Sequence, residues 1–255
     1  MNLAFLQIPL IWESPQANRD AIEAYLKGKD LLSTDILVLP ETFTTGFSMK
    51  ATHLAEEMNG VTLKWMQSIA TEYNTLIGGS IMVKAFGNVH NRFLMVGPDG
   101  LKGHYDKKHL FGLGAEKELI TAGVNRKVLD INDWSVNLQI CYDLRFPVWM
   151  RNIDRTELII LVANWPAPRI AAWRALLVAR AIENQCYVLG VNRLGEDGNG
   201  LSYTGDSLLV DPAGQILVDA GNQEGLFSAS IDKDVLTNFQ HKFPFLKDAD
   251  QFDLK

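Results

Sequence analysis

Three residues of complementary chemistry each follow directly on an apolar or strand-like run. They are Glu41 in DILVLPETFTTGF, Lys107 in GHYDKKHLFG and Cys141 in NLQICYDLRFPVWM. A carboxylate just past a strand end, beside Phe43 and Phe47, is partly withdrawn from water, which suits a general base. A lysine aimed inward can stabilise a developing oxyanion or act as an acid. A cysteine attacks as its thiolate, so it needs a base or a positive charge at its side. Cys141 could draw on both Glu41 and Lys107. Each residue alone also has a plainer reading: a loop glutamate in a salt bridge, a solvated Lys107-Lys108 pair, a cysteine that only packs. The neighbours His109, Leu110 and Phe111 do not suit a solvated face. Cys186, in NQCYVLGV, has no polar turn after it and is assigned to the core.

The elements that must carry these residues are legible in outline. Residues 2–8, 35–39, 75–83, 90–96, 128–131, 136–140, 158–163, 186–191, 207–210, 216–218 and 226–231 read as strands from their apolar and β-branched content. Ser14-Pro15 marks a helix start, with the serine oxygen available as a cap. That helix is expected over 15–27, with Ala17, Ala21, Ala24 and Tyr25 turned inward. Further helices are expected over 62–73 and 170–184, and a turn at Pro98-Asp99-Gly100. Strands alternate with helices in two regions and hairpins fill the rest. This predicts a mixed α/β layered fold in one domain, residues 1–255, with an irregular aromatic tail at 241–255.

Composition narrows the function. Apolar residues make up 47% of the 255-residue chain, enough for a sizeable core. The net charge of −6 argues against a nucleic-acid partner, since phosphate backbones demand clustered Lys and Arg. No run of about 18 apolar residues predicts a membrane span, and no leader pattern follows Met1. Two cysteines in such a chain are expected to be reduced thiols, and the location to be cytoplasmic. The five histidines lack metal-ligand spacing and no Gly-rich phosphate loop occurs, so neither a metal nor a cofactor is expected.

In the order Glu, Lys, Cys, these segments resemble the nitrilase (carbon–nitrogen hydrolase) superfamily. LPETFTTGF, YDKKHLF and LQICYDLRFP carry the resemblance, with ANWPAPR and WRALLVARAIENQCYVLGVNRLGEDGNG later in the chain. It implies a four-layer α-β-β-α sandwich, often dimerised, so a homodimer is expected. It also implies Glu41 as general base, Lys107 as oxyanion stabiliser with the Tyr142 N–H, and Cys141 as nucleophile. A second family glutamate precedes a glycine by seven residues; Glu116 before Gly123 fits, with Glu118 as competitor. The family lysine usually follows an arginine, whereas Asp106 stands here; His109 nevertheless selects Lys107 over Lys108. Arg145 and Asp143 are expected to fix the loop after the cysteine. The tail and ETFTTGFSM resemble the omega-amidase-like branch, which hydrolyses the terminal amide of 2-oxoglutaramate and 2-oxosuccinamate. Such anionic substrates need cationic groups, for which Arg169, Arg174 and Arg145 are candidates. Phe43, Phe47, Tyr142, Phe146 and Trp165 are candidate walls or ordinary core. The competing readings are a sibling amidase for N-carbamoyl compounds or deaminated glutathione, and a binding scaffold without turnover.

Overall fold

The computed structural model describes residues 1–48, 50–112 and 115–253. Met49, in the ETFTTGFSM motif above, Leu113 and Gly114 lie outside the described residues, as do the last two residues of the tail. In chain order the strands are Asn2–Gln7 (β1), Ile36–Val38 (β2), Glu56–Glu57 (β3), Leu76–Ala85 (β4), Asn88–Gly97 (β5), Gly100–Asp106 (β6), Val128–Ile131 (β7) and Trp134–Ile140 (β8). Leu158–Ala163 (β9), Tyr187–Asn192 (β10), Leu194–Glu196 (β11), Ser202–Thr204 (β12), Leu208–Val210 (β13), Ile216–Asp219 (β14) and Gly225–Ser230 (β15) follow. The helices are Pro15–Leu26 (α1), Ala51–Leu54 (α2), Val61–Tyr73 (α3), Glu116–Leu119 (α4), Pro147–Met150 (α5), Ile170–Asn184 (α6) and Lys233–Lys242 (α7).

Alternation along β1 shows how the layers arise. Leu3 and Phe5 point into a core shared with Trp134, Val136, Leu138 and Ile140 of β8. Ala4 and Leu6 point the other way, onto Ile22 and Leu26 of α1 and Met66 and Ile69 of α3. One sheet runs β15-β1-β2-β4-β5-β6, with β3 beside β4; the other runs β14-β13-β10-β9-β8-β7. The second sheet is covered on its far face by α6 through Trp173, Leu177 and Ala181. Gly190 of β10 permits that approach: a Cβ there would meet a Leu177 methyl at 2.5 Å. The result is a four-layer α-β-β-α sandwich. The central β8, β9 and β10 are parallel and buried on both faces, which explains their unbroken apolar runs.

Several local expectations change. The inward face of α1 is Asn18, Arg19, Ile22 and Leu26, not the alanines, and Ser14 makes no side-chain cap. Asn18 does the anchoring instead. Its Nδ2 donates to the carbonyls of Ile11 and Thr44, each at 2.7 Å, tying α1 to the loop that follows Glu41. The segment from residue 241 is not wholly irregular: α7 continues to Lys242, and a 3-10 turn spans Phe245–Asp248. Asp232 caps α7 by accepting from the Asp234 and Val235 amides, an N-cap that patterning of apolar residues alone does not reveal. The β11-β12 hairpin is also additional to the expected strands.

Candidate active site

Glu41, Lys107, Glu116 and Cys141 converge where the ends of both sheets meet. Glu41 follows β2, Lys107 follows β6 at once, Glu116 opens α4, and Cys141 follows β8. Glu41, Lys107 and Glu116 are each at most 1% exposed. Lys107 Nζ donates to Glu41 Oε1 at 3.0 Å and to both Glu116 oxygens at 2.9 and 3.2 Å. Lys108, by contrast, lies 5.4 Å from the Trp149 ring, and Glu118 is exposed. The spacing of Glu116 from Gly123 also has a cause. The Gly123 amide donates to the Lys107 carbonyl at 2.9 Å, and a Cβ there would lie 2.1 Å from the Asp106 carbonyl oxygen.

The charges in this cluster set one another. Burial works against the Lys107 ammonium, but Glu116 and Glu41 outweigh it and raise its pKa above the usual lysine range. Burial pushes the Glu116 carboxyl up, Lys107 pulls it down and Glu41 adds to the rise. Burial also raises the Cys141 thiol well above the ordinary range; the Glu41 charge reinforces this and Lys107 opposes it. That direction favours a thiol beside a carboxylate, the arrangement in which a general base takes the thiol proton.

The nucleophile turn is held under backbone strain. Cys141 has φ +45° and Thr42, next to Glu41, φ +43°, a region that non-glycine residues rarely enter. The Thr42 amide donates to Ser80 Oγ at 2.9 Å. Cys141 opens a 3-10 turn, Cys141–Arg145, so the next amide, Tyr142 N–H, belongs to a first turn whose donors lack intrahelical acceptors. Asp143, fully buried, accepts from Tyr105 Oη at 2.8 Å, His109 N at 3.0 Å and Ile140 N at 3.1 Å. It thus fastens the cysteine turn to the lysine loop. Arg145 does not share that work. Arg180 of α6 does, donating to the Leu144 carbonyl at 3.1 and 2.7 Å.

A cavity of about 180 Å³ opens onto Cys141 and Lys107. Tyr142, Trp165 and Arg169 line it, and so do Phe47 and Arg145. Phe43 does not: it is fully buried 5.9 Å from Trp65, in the layer between sheet and helices. Phe146 does not either. It stacks on His109 at 3.7 Å and meets Tyr142 edge-on, behind the wall rather than in it. Arg174 pairs with Asp206 and Asp219 away from the cavity. The Arg145 guanidinium sits 4.9 Å from the Trp165 ring and that of Arg169 5.2 Å from Phe111. Among the described residues the arginine ion pairs belong to Arg19, Arg92, Arg126, Arg174 and Arg180, not to these two. The β11-β12 loop completes the wall with Asp197, Asn199 and Leu201. Asp106, the departure from the family pattern, pairs bidentately with Arg92 at 2.6 and 2.8 Å.

Residues 2–240 match the carbon–nitrogen hydrolase family model. The chain belongs to the carbon–nitrogen hydrolase family, in the nitrilase superfamily. It is 42% identical over 255 residues to omega-amidase YafV of Escherichia coli strain K12, covering 100% of this chain and 98% of the relative. It is 31% identical to a 2-oxoglutaramate amidase of Bacillus subtilis, over 96% of each chain. A crystal structure of XC1258 from Xanthomonas campestris, a carbon–nitrogen hydrolase superfamily protein with an arsenic adduct in the active site, superposes with a TM-score of 0.95. That protein is 40% identical, over 100% of this chain and 99% of that one. No helix among the described residues is long and apolar enough to cross a membrane.

Proposed function

We propose that this carbon–nitrogen hydrolase is an omega-amidase, releasing ammonia from the terminal amide of small 2-oxo acid amides such as 2-oxoglutaramate and 2-oxosuccinamate. The observation that carries the chemistry is the buried Glu41-Lys107-Glu116 cluster behind a cavity onto which Lys107 and Cys141 both open. Glu41 takes the thiol proton as sulfur attacks the amide carbon. Lys107 and the Tyr142 N–H hold the oxygen that becomes negative, and Glu116 holds Lys107. The tetrahedral adduct collapses, Glu41 returns the proton to nitrogen, and ammonia leaves. Water, deprotonated by Glu41, then cleaves the thioester and frees the 2-oxo-dicarboxylate and the thiol. Nucleophile, base and oxyanion donors all come from the chain, so the route needs no cofactor.

The substrate class rests on the two cavity arginines without carboxylate partners and on the full-length likeness to the E. coli omega-amidase. Arg145 and Arg169 would hold the far carboxylate, since guanidinium pairs well with carboxylate, and Tyr142 and Trp165 would flank the chain. The reading includes a homodimer, implied by the family resemblance, and a cytoplasmic location, which suits the two free cysteines.

The test is ammonia release from 2-oxoglutaramate, an N-carbamoyl amine and a simple aliphatic amide, with wild type and Cys141→Ala. Selective turnover of 2-oxoglutaramate, lost in the variant, is the expected result. Preference for the carbamoyl compound would move the protein to a sibling activity with the same cluster.

A further inference from the structure

The carboxylate of Glu41 carries more donors than a lysine partner requires. Asn91 Nδ2 donates to Oε1 at 2.8 Å, and the backbone N–H of Asn164 donates to Oε2 at 2.7 Å. Asn164 Nδ2 reaches the Glu41 carbonyl at 2.7 Å, Thr42 Oγ1 at 3.0 Å and Oε2 at 3.4 Å. Both asparagines are buried, at 1% and 5% exposure. Both amide oxygens, Asn91 Oδ1 and Asn164 Oδ1, lack a hydrogen-bond partner. A buried amide with an orphaned oxygen is costly, so a fold that keeps two of them is satisfying the other end of each amide. That other end is the Glu41 residue in both cases.

We infer that Asn91 and Asn164 are positioning residues that clamp the Glu41 carboxylate from its two sides and hold it in one orientation beside Lys107. The inference rests on the reading of Glu41 as general base. Oε1 is occupied by Asn91 and Lys107, whereas Oε2 has one short donor and one long one. The ionisable groups facing this carboxylate are Lys107, Glu116 and Cys141. Arg92 and Asp106 pair with each other on the opposite face of β5, as strand alternation requires. Asn91 gives the cleaner test, because it does not line the cavity while Asn164 does.

The expected result for Asn91→Ala is a loss of kcat of about tenfold with KM little changed, because the Glu41 carboxylate keeps its Lys107 and Asn164 donors but no longer one fixed orientation. Asn91→Asp, nearly isosteric, replaces the donor with a second carboxyl against Glu41 and should lose at least as much kcat as alanine does. A purely structural asparagine predicts that the isosteric Asn91→Asp recovers kcat, or that KM and Tm move together with kcat, and either result would overturn the clamp. A kcat within threefold of wild type in Asn91→Asp would overturn it even where Asn91→Ala does not fold. Glu41→Gln is measured alongside. Turnover surviving in Glu41→Gln defeats the base reading itself, whereas an inactive Glu41→Gln beside an unchanged kcat in Asn91→Asp defeats only the clamp.

Discussion

Replacing Glu116 with glutamine should separate catalysis from stability. Glu116 accepts from Lys107 Nζ at 2.9 and 3.2 Å and from the Phe111 N–H. Glutamine keeps the shape but turns one acceptor oxygen into a donor, so one of these bonds is lost. A hydrogen bond to a charged group contributes about 1.5–3 kcal/mol. If that interaction serves to aim Lys107 at the oxyanion, its loss slows kcat about 10- to 100-fold. KM should hold, because Glu116 does not line the cavity. Stability should move differently. Burial raises the Glu116 pKa in the fold above its unfolded value, so the folded state binds that proton more tightly. Wild-type stability then falls as pH rises from the ordinary carboxylate range through the raised folded value, and stays lower above it. Glutamine does not titrate and adds no buried negative charge. The variant's Tm above neutral pH should therefore match or exceed wild type while kcat falls. Steady-state kinetics beside thermal unfolding across pH reads both. A kcat within threefold of wild type would refute the aiming role, and a fall of Tm in step with kcat would make Glu116 a fold residue instead.

Because burial and the Glu41 charge raise the Cys141 pKa, iodoacetamide should alkylate it slowly at neutral pH and faster as pH rises. Glu41→Gln, which removes the neighbouring charge, should bring that onset to lower pH although turnover is lost; mass spectrometry of the labelled peptide checks both. Arg145→Gln and Arg169→Gln should each raise KM for 2-oxoglutaramate about 10- to 100-fold, from loss of a charge-assisted bond, and leave a neutral amide nearly unaffected. Arg174→Ala should alter neither substrate and cost no more than about 1 kcal/mol, since its partners lie near the surface. Phe43→Ala should cost about 3–5 kcal/mol in urea unfolding, as befits a fully buried ring rather than a cavity wall.

What could be read from the sequence divides along physical lines. The parallel strands at the centre are apolar on both faces, so 158–163 and the helix at 170–184 were legible to the residue. Glu41, Lys107 and Cys141 were legible only in company: each alone had a plainer reading, Lys107 follows Gly-His-Tyr-Asp rather than an apolar run, and it was their order along the chain, resembling the nitrilase superfamily, that joined them. Burial direction was not legible for the aromatics. Phe43 and Phe47 lie four residues apart in one loop, yet Phe43 enters the core while Phe47 stands 4.9 Å from Lys107 Nζ; irregular backbone has no period from which to infer which way a ring turns. The polar supports were hidden for a related reason. Asn91 and Arg180 sit in ordinary strand and helix positions, and only the partners they meet, Glu41 and the Leu144 carbonyl, distinguish them. An arginine inside LLVARAIEN was the one available signal, because a charge on an apolar helix face demands an internal acceptor.

A protonated resting thiol, toward which burial and the Glu41 charge push Cys141, makes sense in terms of charge. A thiolate formed in advance would stand half-buried beside Glu41, and like charges in a poorly solvated site repel strongly. On the proposed route no step adds a charge to the cluster. The proton that leaves sulfur neutralises Glu41, and the negative charge passes from carboxylate to sulfur and then to the substrate oxygen near Lys107. Collapse of the adduct returns the proton through Glu41 to nitrogen, and the charge disappears from the oxygen as ammonia forms. Glu41 must therefore be ionised before substrate arrives and able to accept a proton once it has. Four donors hold its two oxygens in place: Asn91 Nδ2 and Lys107 Nζ on Oε1, and the Asn164 N–H and, at 3.4 Å, Asn164 Nδ2 on Oε2. A low thiol pKa is consequently the wrong criterion for activity in this site; what matters is whether Glu41 and Cys141 exchange a proton within a cluster whose total charge stays constant.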